Sequence, residues 1–163
     1  MVATDTSNPA ESWHRAAAEP AIDSALRGIY EIVADEVRSR QPVCIASGRC
    51  CHFEAHGHRL YVTGLEAAWC VRSLRAREGL PTTHNAIAQA HARGDCPFLI
   101  DGRLCGAHIE RPLGCRIYFC DRSAKVWQQE LYEKTHRMLV ALHEVNAIEY
   151  RYGEWRAMLA LVV

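Results

Sequence analysis

A chain of 163 residues that is 49% apolar and 23% charged has the composition of a globular protein and is long enough to bury one core without staples. Its 19 Lys and Arg balance 19 Asp and Glu, so the basic excess of a nucleic-acid or anionic-membrane binder is missing. No run approaches the roughly 18 apolar residues of a membrane helix, and the start, MVATDTSNPAESWHR, lacks the basic-then-apolar pattern of a secretory leader, which predicts a soluble, cytoplasmic protein.

Residues 1–10 are polar, contain Pro9 and read as a loose tail, leaving 11–163 as a single domain. A helical pattern runs from Glu11 to Arg40 with a break near Pro20, and Ile22, Leu26, Ile29, Tyr30, Val33 and Val37 form its core-facing stripe. Pro42 stops it. HRLYVTG, residues 58–64, alternates as a short strand does. Thr63 then caps a helix to about Arg77, because Glu66 three residues on completes a capping box. A short helix follows over Thr83–Ala92, ended by Gly94. A long amphipathic one covers Ala124–Val145, and a last one Gly153–Leu161. The fold class expected is mainly α, with at most a short β element. No repeat or low-complexity segment is present.

Between these helices lie two irregular segments that hold seven of the eight cysteines: Cys44, Cys50 and Cys51 in the first, Cys96, Cys105, Cys115 and Cys120 in the second. Cys70, in EAAWCVRSL, sits on a helix among apolar neighbours and reads as core. Three chemistries compete for the loop thiols. Disulfides suit small secreted scaffolds rather than a helical chain of this size, and a Cys50–Cys51 bridge would close a strained ring. A redox enzyme prefers Cys-x-x-Cys at a helix start, and that motif does not occur in the sequence. Metal ligation is the third, since thiolates are soft donors suited to zinc and to iron–sulfur clusters.

In an extended strand Cys50 and Cys51 point to opposite sides. They face one centre only if the backbone turns, which Gly48 makes easier. Four thiolates around zinc or an oxidised four-iron cluster leave about two negative charges, which the interspersed Arg49, Arg103, Arg111 and Arg116 are placed to offset.

SGRCC at 47–51 and CPFLIDGRLCGAHIERPLGCRIYFC at 96–120 together resemble the YkgJ-type cysteine-cluster family, zinc- or iron-chelating domains named for a CxxCxxCC motif. Cys44, Gly48, Cys50 and Cys51 match the first part of the family pattern, and Cys96-Pro97 the middle. Cys105, Arg111-Pro112, Cys115-Arg116 and Cys120 match the last, so the likeness spans about residues 44–121. It implies a metal-chelating module with those seven cysteines as ligands and Arg49, Arg111 and Arg116 beside them. Two departures stand out. Ser47 occupies the place of the second cysteine, and Ala107-His108 the place of an Ile-Tyr pair. His52, His56, His58 or His108 could make up a missing donor, but each reads better as a surface or packing histidine, His52 being the strongest exception. Some larger relatives with similar cysteine motifs are linked to protein lysine N-methylation, an association these residues alone do not carry over.

The last long helix aligns Tyr132, His136, Leu139 and His143, a stripe better explained by packing than by a second metal site. EYRYGEW, 149–155, is aromatic and turn-like, suited to packing over the cysteine loops or to binding a peptide. Phosphate loops, His-Glu-x-x-His and nucleophile elbows are missing from the sequence. The expectation is therefore a metal-binding protein gripping an iron–sulfur cluster or zinc. The four-iron cluster is favoured because the thiols are many, widely spaced and lack zinc-knuckle pairs. The alternatives are a cluster-dependent redox or protein-modification enzyme or accessory protein, and a thiol-rich metal chaperone or store. A protein partner is compatible with the sequence but not identified by it.

Overall fold

The helices begin and end where local chemistry dictates. In the computed structural model, which describes residues 8–77, 80 and 82–163, helix α1 covers Pro9–Ala18 and α2 Pro20–Arg40. The Asn8 side chain accepts from the Ala10 N–H at 3.2 Å and Pro9 opens the first turn, so α1 starts two residues earlier than its periodicity suggests. Residues 1–7 of the expected tail lie outside the described residues. Gln41 turns left-handed (φ 48°) to close α2 ahead of Pro42.

Helix α4, Gly64–Ala76, is the centre of the molecule, and all but a few of its residues are buried. It packs against α1 on one side and against α8, Trp155–Val162, on another. Such a helix is apolar nearly all round because it has neighbours nearly all round. Trp13, Trp69 and Trp155 are each almost wholly buried in this core. Gly64 admits Trp13 face to face, since a Cβ there would stand 2.2 Å from the indole.

The capping box read from the sequence is present. The Thr63 hydroxyl accepts the Glu66 N–H at 3.2 Å and the Glu66 carboxylate accepts the Thr63 N–H at 3.0 Å. Glu66 also does more. Its other oxygen accepts the Tyr30 hydroxyl of α2 (3.2 Å) and the Leu113 N–H (2.7 Å) that opens the short helix α6, Leu113–Ile117. A carboxylate buried this fully is tolerable because all its contacts are donors, and burial shifts its pKa upward.

Helix α5, His84–Arg93, runs from its Thr83 cap to left-handed Gly94, and α7, Lys125–Val145, packs on α2 and α6. Helix α3, Phe53–His56, is one turn. Two small antiparallel sheets complete the fold. In one, β1 (Tyr61–Thr63) pairs with β4 (Tyr152–Glu154); in the other, β2 (Leu99–Ile100) pairs with β3 (Leu104–Cys105). The protein is mainly α. Among the described residues no helix is long and apolar enough to cross a membrane.

Candidate metal centre

All eight cysteines are free thiols. The first loop leaves α2 as an irregular exposed stretch through Cys44, then turns at Gly48 (φ 76°) into a single 3-10 turn, Arg49–Cys51. The Cys51 N–H closes that turn on the Gly48 carbonyl at 2.8 Å. The turn separates the neighbours: Cys50 stays exposed, whereas Cys51 is 7% exposed and faces inward. Gly48 is needed for a second reason. A Cβ on it would lie 2.6 Å from the Arg103 Cα and 2.8 Å from the Gly102 carbonyl oxygen. Only a bare glycine lets the first loop come down on the β2–β3 turn of the second.

The loops are sewn together at the main chain. The Cys96 N–H donates to the Cys51 carbonyl at 2.7 Å, and the Glu54 N–H to the Gly94 carbonyl at 3.2 Å. His52 braces the seam, its Nδ1 on the Asp95 carboxylate at 2.7 Å and its Nε2 on the Gly102 carbonyl at 2.8 Å. Both acceptors, the carbonyl first, raise the His52 pKa. Two donating ring nitrogens leave no lone pair for a metal, so His52 is a clamp, in keeping with the structural role expected of the loop histidines. Behind the seam, Arg156, 1% exposed, reaches the Glu54 carboxylate at 3.0 and 3.2 Å and the Glu154 carboxylate at 2.9 Å, and stacks on Phe53. This fixes α3, and with it the first loop, to α8.

The second loop brings its sulfurs from three directions. Cys96 follows α5 and is 6% exposed. Cys105 ends β3 opposite Leu99. Cys115 rides on α6, which Glu66 holds through Leu113. The result is a gathering, or knot, of thiols around Cys51, on which the Cys105, Cys50 and Cys96 sulfurs all act. These neighbours, Cys105 first, push the Cys51 pKa far up, so that it keeps its proton. Cys51 in turn lowers Cys50 to about 6 and Cys105 to about 7. Burial, reinforced by the Cys96 and Cys105 sulfurs, pushes the Cys115 thiol well up.

The Cys50, Cys96 and Cys105 sulfurs thus act on Cys51, and Cys115 lies within electrostatic reach of Cys50, Cys96 and Cys105. Cys120 is exposed at the rim, where, after burial, its sulfur helps to raise the Tyr118 pKa. Cys44 is exposed too, and its neighbour Val43 donates its N–H to Asp121 at 3.4 Å, beside Cys120. Cys70 is fully buried on α4 beneath the knot, its thiol held protonated first by burial and then by the Cys96 and Glu110 charges.

Among the three arginines, Arg111 serves the sulfurs most directly: its charge lowers the pKa of Cys50, Cys105 and Cys115, while its Nε donates to the His108 carbonyl at 2.8 Å. Arg116 lays its guanidinium 3.9 Å over the Tyr30 ring and donates to the carbonyls of Arg111 and Ile109, both at 2.6 Å. It shapes the loop. Arg49 is exposed next to Cys50. The Ser47 hydroxyl accepts the Arg49 N–H at 3.4 Å, a turn contact. The His58 Nε2 donates to the Cys50 carbonyl at 3.1 Å and its ring stacks on Tyr118.

The donors are thiols alone, soft ligands for zinc or for iron–sulfur chemistry. They gather around Cys51 rather than around a centre. Among the described residues no group of three or more His, Cys, Asp or Glu side chains is placed to hold a metal ion, and seating one requires the Cys51 and Cys115 protons to leave and the sulfurs to shift.

Beside the knot runs a groove of about 220 Å³ whose walls include Cys50, Cys115, Tyr61, Tyr118, Tyr132 and Tyr152. Sequence reasoning missed it. Tyr61 and Tyr152 are diagonal neighbours across the β1–β4 pair and stack at 5.9 Å, and the Tyr132 and Tyr152 hydroxyls hydrogen-bond. EYRYGEW, expected to pack near the cysteine loops, supplies Tyr152 to this wall. Its partner strand lies some ninety residues earlier, a pairing that no local pattern announces.

Comparison with known proteins finds no matching family model, no matching curated protein and no matching solved structure.

Proposed function

We propose that this chain is a metal-binding cysteine-cluster protein that holds an iron–sulfur cluster or zinc through thiolates of two loops. Cys50, Cys51, Cys96, Cys105 and Cys115 are its ligand pool, and Cys44 and Cys120 stand at the rim as further donors. The observation that carries this reading is the main-chain bond from the Cys96 N–H to the Cys51 carbonyl at 2.7 Å, which joins the two cysteine loops and gathers thiols of both around Cys51. Ordinary core packing does not call for four sulfurs from distant segments to gather behind a seam of two main-chain bonds and the His52 clamp. The resemblance of residues 44–121 to the YkgJ-type pattern points the same way.

When bound, the metal would neutralise the gathered thiolates and supply either a structural cross-link or redox chemistry. The chain's own residues hold the sulfurs in register (Gly48, His52, Glu66), offset their charge (Arg111) and shield Cys51 and Cys96 from water. Purification without oxygen, followed by elemental analysis and absorption spectroscopy, tests the proposal. A brown protein with iron and sulfide identifies the cluster; a colourless one with stoichiometric zinc identifies the ion. Protein free of both, and unable to take up either, would overturn the reading.

A further inference from the structure

The groove beside the sulfurs has a chemical character of its own. Its first arm is walled by four tyrosines, Leu60 and His58, with Cys50 and Cys115 on the sulfur side, and its permanently charged side chain is Arg59. A second arm of about 250 Å³ shares Gly114, Tyr118 and Tyr132 with the first, and its charged side chain is Lys125. No carboxylate lines either arm, and the negative charge in the first is that of the Cys50 sulfur until a metal claims it. Among the described residues neither Arg59 nor Lys125 has an ion-pair partner within 4.0 Å. Glu54, the acid whose charge Arg59 influences, is already held by Arg156. Flat aromatic walls favour a ring, and an unpaired guanidinium favours a carboxylate, which it binds with two parallel hydrogen bonds.

We propose that this groove is a binding site for a small aromatic carboxylate, with the ring against Tyr61, Tyr132 and Tyr152 and the carboxylate on Arg59. Drug-sized ligands occupy sites of about 300 Å³ or more, so the first arm suits a single ring with a short acidic arm. Because Cys50 and Cys115 are part of the same wall, the bound molecule lies against the sulfur knot. That it thereby lies against a metal rests on the metal-binding reading; that it binds does not.

The test uses full-length protein purified without oxygen, its metal content measured on the same sample, and three probes of one shape: phenylacetate, phenylacetamide and phenethylamine. Titration followed by ligand-detected NMR should show phenylacetate binding best. Arg59→Met should weaken phenylacetate about tenfold, the worth of a charge-assisted hydrogen bond, and leave phenylacetamide unchanged. Tyr132→Leu should weaken both. Equal binding of the three probes, preference for the amine, no binding at all, or an Arg59→Met variant with unchanged phenylacetate affinity would overturn the inference. Phenylacetate binding to protein that takes up no metal would leave the groove standing and remove the metal reading. Metal-loaded protein that ignores phenylacetate would do the reverse.

Discussion

The main-chain N–H of Cys96 donates to the carbonyl of Cys51 at 2.7 Å. That one bond places two cysteines 45 positions apart in sequence on adjoining backbone, so their side chains share a site whatever those side chains do. Main-chain pairing of this kind survives substitution of either sulfur. The thiol knot is therefore a property of the loops and not only of the thiols.

Gly48→Ala tests the approach of the two loops. The new methyl would meet the Arg103 backbone at 2.6 Å in a left-handed conformation, which alone costs about 1–2 kcal/mol for a non-glycine residue. The first loop should lift off the β2–β3 turn. We expect metal content per chain to fall by more than half while helical circular dichroism is retained. Full occupancy would show that the loops need not touch.

Single Cys→Ser variants sort the ligand pool. Loss at Cys50, Cys51, Cys96, Cys105 or Cys115 should lower metal content strongly, and loss at the exposed Cys120 should lower it or speed metal release. Cys70→Ala should leave metal content unchanged and lower stability by about 1 kcal/mol, the cost of a small vacated volume in the core. Elemental analysis beside a denaturant titration separates the two effects.

In metal-free protein the thiols differ in reactivity by design of their contacts. Cys50, lowered to about 6 and exposed, is thiolate at neutral pH; Cys51 beside it keeps its proton. Limited iodoacetamide treatment at pH 7 should label Cys50 ahead of Cys44, an exposed thiol, when the labelled peptides are compared by mass spectrometry. The Cys50 rate should rise with pH and level off above about 6. Metal loading should slow the labelling sharply. Protons compete with metal for the same sulfurs, so apparent affinity should weaken as pH falls through the values of about 7 and about 6 for Cys105 and Cys50.

Arg156 is the remote support. Its guanidinium is nearly buried and pairs with Glu54 and Glu154, so Arg156→Met removes the cation from both and leaves Glu154 only its main-chain donors. We expect destabilisation on the order of 2 kcal/mol, with Glu54 counted at a discount because it is half exposed. Metal should also exchange faster, because α3 no longer anchors the first loop to α8. Thermal melts and competition with a chelator measure the two.

The helices were legible because their signals are local. Pro20 splits α1 from α2, Thr63 and Glu66 form their box, and Gly94 ends α5. Gly48 was legible as a turn, but the sequence holds no sign that its missing Cβ makes room for Arg103. The second role of Glu66, gripping Leu113 across 47 positions, is invisible for the same reason: a capping residue has one oxygen to spare, and only the tertiary fold says who takes it. The partners of His52 could not be read from its place beside Cys51. Asp95 and the Gly102 carbonyl, brought in by the second loop, claim both its nitrogens. The tyrosine groove depends on β1 meeting β4, a long-range pairing of two three-residue strands too short to show a periodicity.

X-ray absorption at the metal edge, on protein loaded without oxygen, tests the central claim most directly. The account predicts a first shell of sulfur, at about 2.3 Å if the metal is zinc, that loses sulfur in Cys51→Ser. A shell of oxygen and nitrogen, or one indifferent to Cys51, would contradict it.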